Sequence, residues 1–175
     1  PAVQALKTGD QITDTLTVST VDGTTKQITV TINGTDDKAA IAGTGVGTVT
    51  EDKLQSTGGK LDVTDPDAGQ ASFVPQPSAA GAHGSFTVQP DGTWSYSLDN
   101  GQPAVQALKT GDQITDTLTV STVDGTTKQI TVTINGTDDK AAIAGTGVGT
   151  VTEDKLQSTG GKLDVTDPDA GQAQF

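Results

Sequence analysis

The residues with chemistry to offer in this chain are its carboxylates, and they fall at the ends of alternating segments. Asp36-Asp37 returns as Asp138-Asp139 within Asn33-Gly34-Thr35-Asp36-Asp37-Lys38 and Asn135-Gly136-Thr137-Asp138-Asp139-Lys140. Asp65-Pro66-Asp67-Ala68-Gly69 returns with Asp167 and Asp169, and Glu51-Asp52 returns with Glu153. Of the 22 acidic residues only Glu51 and Glu153 are glutamates. So strong a bias to Asp suits turn carboxylates and the oxygen ligation of a hard cation better than solvated helix faces. The plainer alternatives are that Asp only solubilises loops and that Asp-Pro-Asp is an ordinary turn.

The elements that would position these groups are strands. Pro1 to Phe73 recurs as Pro103 to Phe175 at an offset of 102 residues, differing only at Ser72 and Gln174. A period of this size is a whole sandwich-sized unit, since solenoid and propeller repeats run ~20–50 residues. Thr, Val, Gly and Asp dominate, with 22 Gly and 7 Pro, which favours strands and turns. Cysteine is absent, so no disulfide supports the fold.

In chain order, Ala2 to Lys7 has the spacing of a short helical turn. A hairpin follows, with Ile12, Asp14, Leu16 and Val18 on one face, a turn at Val21-Asp22-Gly23-Thr24, and Ile28, Val30 and Ile32 inward on the return. Asp14 falls on the apolar side, which periodicity alone does not explain. The complete unit is expected to hold seven strands: Ala40 to Gly43 continued by Val46 to Thr50, then Lys60 to Thr64, Ala71 to Val74, Ser85 to Gln89, Thr93 to Leu98, Gln113 to Thr122 and Lys128 to Ile134. Trp94, Tyr96 and Leu98 share one face with Phe86 and Val88 across a turn, which reads as core. Pro75, Pro77 and Ser78 to Gly81 read as a loop.

The domain division expected is 1–37, the C-terminal part of one repeat; 38–139, one complete repeat; and 140–175, the N-terminal part of the next. In the permuted cut 1–102, six linker residues reaching ~20 Å would have to cross a sandwich ~33 Å tall. In the 38–139 register the first strand carries Glu51 and Asp52 to one end, and the hinge brings Asp138 and Asp139 there. Asp167 and Asp169 of the following unit meet them, with Asp99 beside them; Asp36, Asp37, Asp65, Asp67 and Glu153 are the same positions at neighbouring joints. Crowded carboxylates repel unless a cation sits among them, and Ca²⁺ takes six to eight oxygens at ~2.3–2.6 Å. Mg²⁺, which keeps its waters and a strict octahedron, fits less well.

Val63-Thr64-Asp65-Pro66-Asp67-Ala68-Gly69, Gly92-Thr93-Trp94-Ser95-Tyr96-Ser97-Leu98-Asp99-Asn100 and the run from Asp116-Thr117-Leu118-Thr119-Val120 to the hinge resemble the VCBS repeat of large bacterial surface adhesins. The resemblance covers the whole repeat. It implies a cadherin-like, immunoglobulin-type Greek-key β-sandwich in tandem array, an RTX-type parent exported by type I secretion to the bacterial cell surface, and a spacer role in attachment and biofilm formation. Asp65-Pro66-Asp67-Ala68-Gly69 is similar to the cadherin Asp-x-Asp-x-Gly motif, and Val49-Thr50-Glu51-Asp52 to the cadherin glutamate segment. The family usually ends Asn-Gly-Thr-Asn-Asp-Ala-Pro; here Asp36 and Asp138 replace the second Asn, and the Pro is missing. The alternative is a binding module in which the sandwich recognises a glycan or another adhesin copy.

A net charge of −12, with 10 Lys and no Arg, opposes nucleic acid and anionic membranes as partners. No apolar run approaches the ~18 residues of a membrane helix, and no leader opens the chain, so a soluble internal fragment is expected. Neighbouring repeats are the expected partners. The incomplete ends, 1–37 and 140–175, are expected to meet in a head-to-tail array of copies. Nothing resembles a catalytic constellation: His83, the one histidine, sits in a Gly-rich stretch and reads as a solvated loop residue.

Overall fold

The computed structural model describes residues 2–175. Short alternating runs punctuated by Gly, Asp and Pro give twelve strands: β1 Gln11–Ser19, β2 Thr25–Asn33, β3 Ala40–Gly43, β4 Val46–Thr50, β5 Ser56–Thr64, β6 Gln76–Ala80, β7 Gly84–Val88, β8 Thr93–Leu98, β9 Gln113–Ser121, β10 Thr127–Asn135, β11 Ala142–Gly145 and β12 Leu163–Thr166. A 3-10 turn at Ala2–Ala5 and a single helical turn, α1, at Pro103–Gln106 precede the two long hairpins. Pro103 opens α1 where its missing N–H costs nothing.

Residues 40–135 fold as two facing sheets, β3-β5-β8-β7-β6 and β4-β10-β9. Counting β3 and β4 as halves of one strand that changes sheet at Thr44-Gly45, this is a seven-stranded sandwich of the class the sequence implies. β4 runs parallel to β10, with Val46 opposite Thr131 and Thr50 opposite Asn135. Every other strand pair is antiparallel. Alternation decides what is buried. Trp94, Tyr96 and Leu98 of β8 and Ile130, Val132 and Ile134 of β10 are buried in one core with Val49, Leu61, Phe73, Phe86, Val88, Val105, Leu108 and Val120. The Phe86 and Tyr96 rings stack at 4.7 Å in a tilted pair. The indole of Trp94 lies against Gly59, where a Cβ would come within 2.9 Å of the ring, and donates to the Thr44 carbonyl at 3.2 Å.

Three expectations are corrected here. Ala71 to Val74 forms no strand, only a bridge from Phe73 to Thr122. The stretch read as a Pro-rich loop is β6, an edge strand whose register shifts between Gln76 and Ala79, so Pro77 falls where no ladder N–H is needed. β5 starts four residues earlier than expected, because Ser56 to Gly59 pair with β8 despite their low strand propensity. The β1-β2 and β11-β12 pairs stand apart as two-stranded sheets.

The Asp that breaks the apolar alternation is explained in the central hairpin. Asp116 is buried and accepts hydrogen bonds from the Ala82 and His83 N–H groups at 2.8 and 2.9 Å, from the Tyr96 hydroxyl at 3.1 Å and from the Thr117 N–H. It ties the β6-β7 turn to the core. His83 is half-buried, with Nδ1 3.3 Å from Gln102 Oε1, rather than solvated.

Candidate cation site at the joint between repeats

The joint is built by a backbone that folds back on the α1 region. After β10, the Gly136 N–H donates to the Asp112 carbonyl at 3.0 Å, and a Cβ there would lie 2.5 Å from the carbonyl oxygens of Leu108 and Lys109. Only glycine fits so close to a neighbouring chain. Thr110 and Asp138 then bond reciprocally, Thr110 N–H to Asp138 Oδ1 at 3.0 Å and Asp138 N–H to Thr110 Oγ1 at 3.2 Å. The Asp139 N–H reaches forward to Asp169 Oδ2 at 2.8 Å, and the Asp169 N–H caps onto Asp167 Oδ1 at 2.9 Å. Gln172 Nε2 donates to Asp138 Oδ1, and the Ala170 N–H to the Ala107 carbonyl, so the following segment is fastened to the hinge from both sides.

Glu51 and Asp52 come to the same place from the end of β4. The turn after β4 places Asp52 in the left-handed region at φ 57°, closed by Thr50 N–H to Leu54 carbonyl at 2.8 Å. Asp154 repeats this at φ 58° although no core surrounds it, so the turn is local in origin. Asn100 locks Asp52 by a reciprocal pair, Asp52 N–H to Asn100 Oδ1 at 3.0 Å and Asn100 Nδ2 to Asp52 Oδ1 at 2.6 Å. Glu51 is fully buried; its Oε1 accepts the Thr137 N–H at 2.8 Å.

Electrostatics make this an unfavourable place for anions alone. Burial pushes the Glu51 carboxyl above its usual range, partly offset by the Thr137 N–H, and the charges of Asp139, Asp52 and Asp169 push it further. Asp139 is likewise raised by burial, then by Asp52, Asp169 and Asp167. Among the described residues, the buried oxygens without a hydrogen-bond partner are Glu51 Oε2, Asp139 Oδ2 and Asp169 Oδ1 here, with Asp65 Oδ2 and Asp67 Oδ1 at the other joint. Buried polar atoms are normally satisfied, and all of these are carboxylate oxygens. A hard cation is what such a set fits. Among the described residues no three or more acidic or histidine side chains stand close enough together to hold a metal ion as they are, so an ion would have to draw them together.

The first joint repeats the pattern. The Asp37 N–H donates to Asp67 Oδ2 at 2.7 Å, the Asp67 N–H to Asp65 Oδ1 at 2.8 Å, and Asp36 Oδ1 accepts from Thr8 N–H and Gln70 Nε2. Of the residues expected from sequence, Glu51, Asp52, Asp139, Asp167 and Asp169 come together, while Asp36 and Asp138 act mainly as hinge fasteners. Asp99 stands elsewhere, lining a depression with Ser85, Ser97 and Gln102, its N–H bonded to the His83 carbonyl. Glu153 is exposed. Asn100 was not anticipated; its adjacency to Asp99 at the end of β8 was the available signal.

The bacterial cadherin-like domain family matches residues 36–136, more than half of the sequence, and the chain belongs to that family. Its members are structural and adhesive modules found outside the cell. Among solved structures the chain is similar to the extracellular cadherin domains 1–4 of protocadherin gamma B7 (21% identity, TM-score 0.46, covering 93% of this chain and 41% of that one). It is also similar to the protocadherin gamma B4 extracellular domain (15%, TM-score 0.42, 91% and 31%) and to the human desmocollin-1 ectodomain (18%, TM-score 0.37, 91% and 33%). The chain thus spans between 31% and 41% of their length. A comparison with curated proteins finds no match.

Proposed function

We propose that the chain is a calcium-stiffened extender of a secreted bacterial surface adhesin, with 38–139 as one complete repeat between parts of its neighbours. In this role it holds a terminal adhesive module away from the cell and supports attachment and biofilm formation; the resemblance to VCBS repeats supports an RTX-type parent exported by type I secretion. The observation that carries the reading is the set of buried, unpartnered oxygens of Glu51, Asp139 and Asp169 at a joint held by the Thr110–Asp138 and Asp139–Asp169 hydrogen bonds. Ca²⁺ bound there supplies positive charge and oxygen coordination. Glu51 and Asp52 would hold it from one repeat, Asp139 from the hinge, and Asp167 and Asp169 from the next, so that binding couples the orientation of the two.

Calcium titration followed by melting and small-angle scattering tests this. Binding to the folded state alone stabilises by RT ln(1 + [L]/Kd), about 2.7 kcal/mol at a hundredfold excess over Kd. The melting temperature should rise in millimolar calcium and fall in EGTA, and Asp138→Ala with Asp139→Ala should leave the unit folded but let the joint bend. An unchanged melting temperature between calcium and chelator removes the metal, and unchanged scattering in the double variant removes the stiffened joint.

A further inference from the structure

Asparagine or aspartate followed by glycine is open to attack on its own side-chain carbonyl, because glycine has no side chain to hinder its nitrogen. The chain has six such pairs: Asp22-Gly23, Asn33-Gly34, Asp91-Gly92, Asn100-Gly101, Asp124-Gly125 and Asn135-Gly136. In five of them the fold commits the glycine nitrogen. Gly23, Gly92 and Gly125 donate across their own turns to the carbonyls of Thr20, Gln89 and Thr122 at 3.1, 2.9 and 3.0 Å, and Gly34 and Gly136 donate to the carbonyls of Asp10 and Asp112 at 2.9 and 3.0 Å. Gly34 and Gly136 are also pressed against the backbone of Leu6-Lys7 and Leu108-Lys109. Gly101 differs on each count: it lies in the turn after β8, is exposed, and its N–H has no acceptor among the described residues.

We infer that Asn100 is a site of spontaneous deamidation, the one pair among the six that the folded protein leaves able to react. The Gly101 nitrogen forms a bond to Cγ of Asn100 as the Cγ–Nδ2 bond breaks, and ammonia leaves with the proton from the Gly101 N–H. Water then opens the resulting five-membered imide at either carbonyl, giving aspartate or its isoaspartyl isomer. The sum is amide plus water to acid plus ammonia, with no change of oxidation state. Negative charge develops on Oδ1 during the addition, and the Asp52 N–H already donates to that atom at 3.0 Å. A fixed donor at a developing oxyanion lowers the barrier to such additions.

The product changes the joint. Asn100 Nδ2 donates to Asp52 Oδ1 at 2.6 Å, and deamidation replaces that donor by a carboxylate oxygen facing another. Gln106 Nε2, at 3.5 Å, is then the side-chain donor left to Asp52 Oδ1. The fastener between the end of β8 and the turn after β4 thus weakens with the age of each molecule, without any enzyme.

Peptide mass spectrometry on the full chain, held for weeks in chelator at mildly alkaline pH, tests the site independently of calcium. Acid should replace the amide at residue 100 while Asn33 and Asn135, read together in the identical peptides Gln27–Lys38 and Gln129–Lys140, keep theirs. In urea, where no glycine nitrogen is committed, the three asparagines should react alike. Gly101→Ala, whose Cβ would meet nothing closer than Asp99 Oδ1 at 3.8 Å, should fold as before and lose most of the reaction. Asn100→Asp should melt below the parent in chelator. An amide at residue 100 that survives in the folded chain as long as those of Asn33 and Asn135, or a Gly101→Ala variant that reacts as fast as the parent, overturns the site; an Asn100→Asp variant as stable as the parent overturns its effect on the joint.

Discussion

Replacing Asp116 by alanine removes one side chain and four hydrogen bonds, and the chain contains its own control. The Tyr96 hydroxyl is left buried without an acceptor; burial and then the Asp116 charge raise its pKa above the usual phenol range, so it is held as a donor. An orphaned buried donor costs about 1–3 kcal/mol, and hydrogen bonds to a charged acceptor are worth about 1.5–3 kcal/mol each. The Ala82 and His83 N–H groups recover part of that loss from water, since Ala82 is exposed. The sum is about 3–5 kcal/mol, which at ~4 °C per kcal/mol for a domain of this size lowers the melting temperature by roughly 12–20 °C. Asp14 has the same local sequence in β1 but is exposed, so Asp14→Ala should cost less than about 0.5 kcal/mol. Urea titrations of the two variants give both numbers. A cost below about 1 kcal/mol for Asp116→Ala, or equal costs for the two, refutes the pinning role.

Glu51→Gln should leave the calcium-free chain as stable or more so, because a raised carboxyl loses its charge, yet weaken the response to calcium; each tenfold loss of affinity removes about 1.4 kcal/mol of it. Glu153→Gln, on an exposed residue, should change neither quantity in dilute solution. Titration with acid reports on other groups. Asp91 is held at about 2 by the Lys60 ammonium and the Thr93 N–H, and Asp124 well below the carboxylate range by the Ala39 N–H and the Thr122 hydroxyl. Because these folded pKa values lie below the unfolded ~3.9, the stability they contribute is complete above about pH 4 and lost as pH falls towards 2. Asp91→Asn with Asp124→Asn should flatten the acid limb of the stability curve; an unchanged limb refutes the assignment.

The long hairpins, the Trp94-Tyr96-Leu98 face and the Asp-x-Asp-x-Gly turns were legible because each is a local pattern with a period or a fixed offset. β6 was not, because an edge strand tolerates the prolines that would disqualify a central one. Ser56 to Gly59 were missed for a related reason: the glycines there make room for the indole of Trp94, a requirement set by a strand 35 residues away. At the end of β8 the joint uses Asn100 and not Asp99, because an amide carries a donor and an acceptor together and so satisfies both the Asp52 N–H and its carboxylate, a demand that only the fold makes visible. Asp116 needed the β6-β7 turn, which no periodicity in β9 could announce.

The parallel pairing of β4 with β10 has a mechanical meaning. These strands lie near the entrance and the exit of the unit, side by side and pointing the same way, so tension along the chain draws β4 backwards by its start and β10 forwards by its end. The hydrogen bonds from Val46–Thr131 to Thr50–Asn135 are then loaded together in shear rather than peeled one at a time. A row of such units resists stretching until several bonds fail at once, and each failure would release a whole unit's length of slack, leaving its neighbours intact.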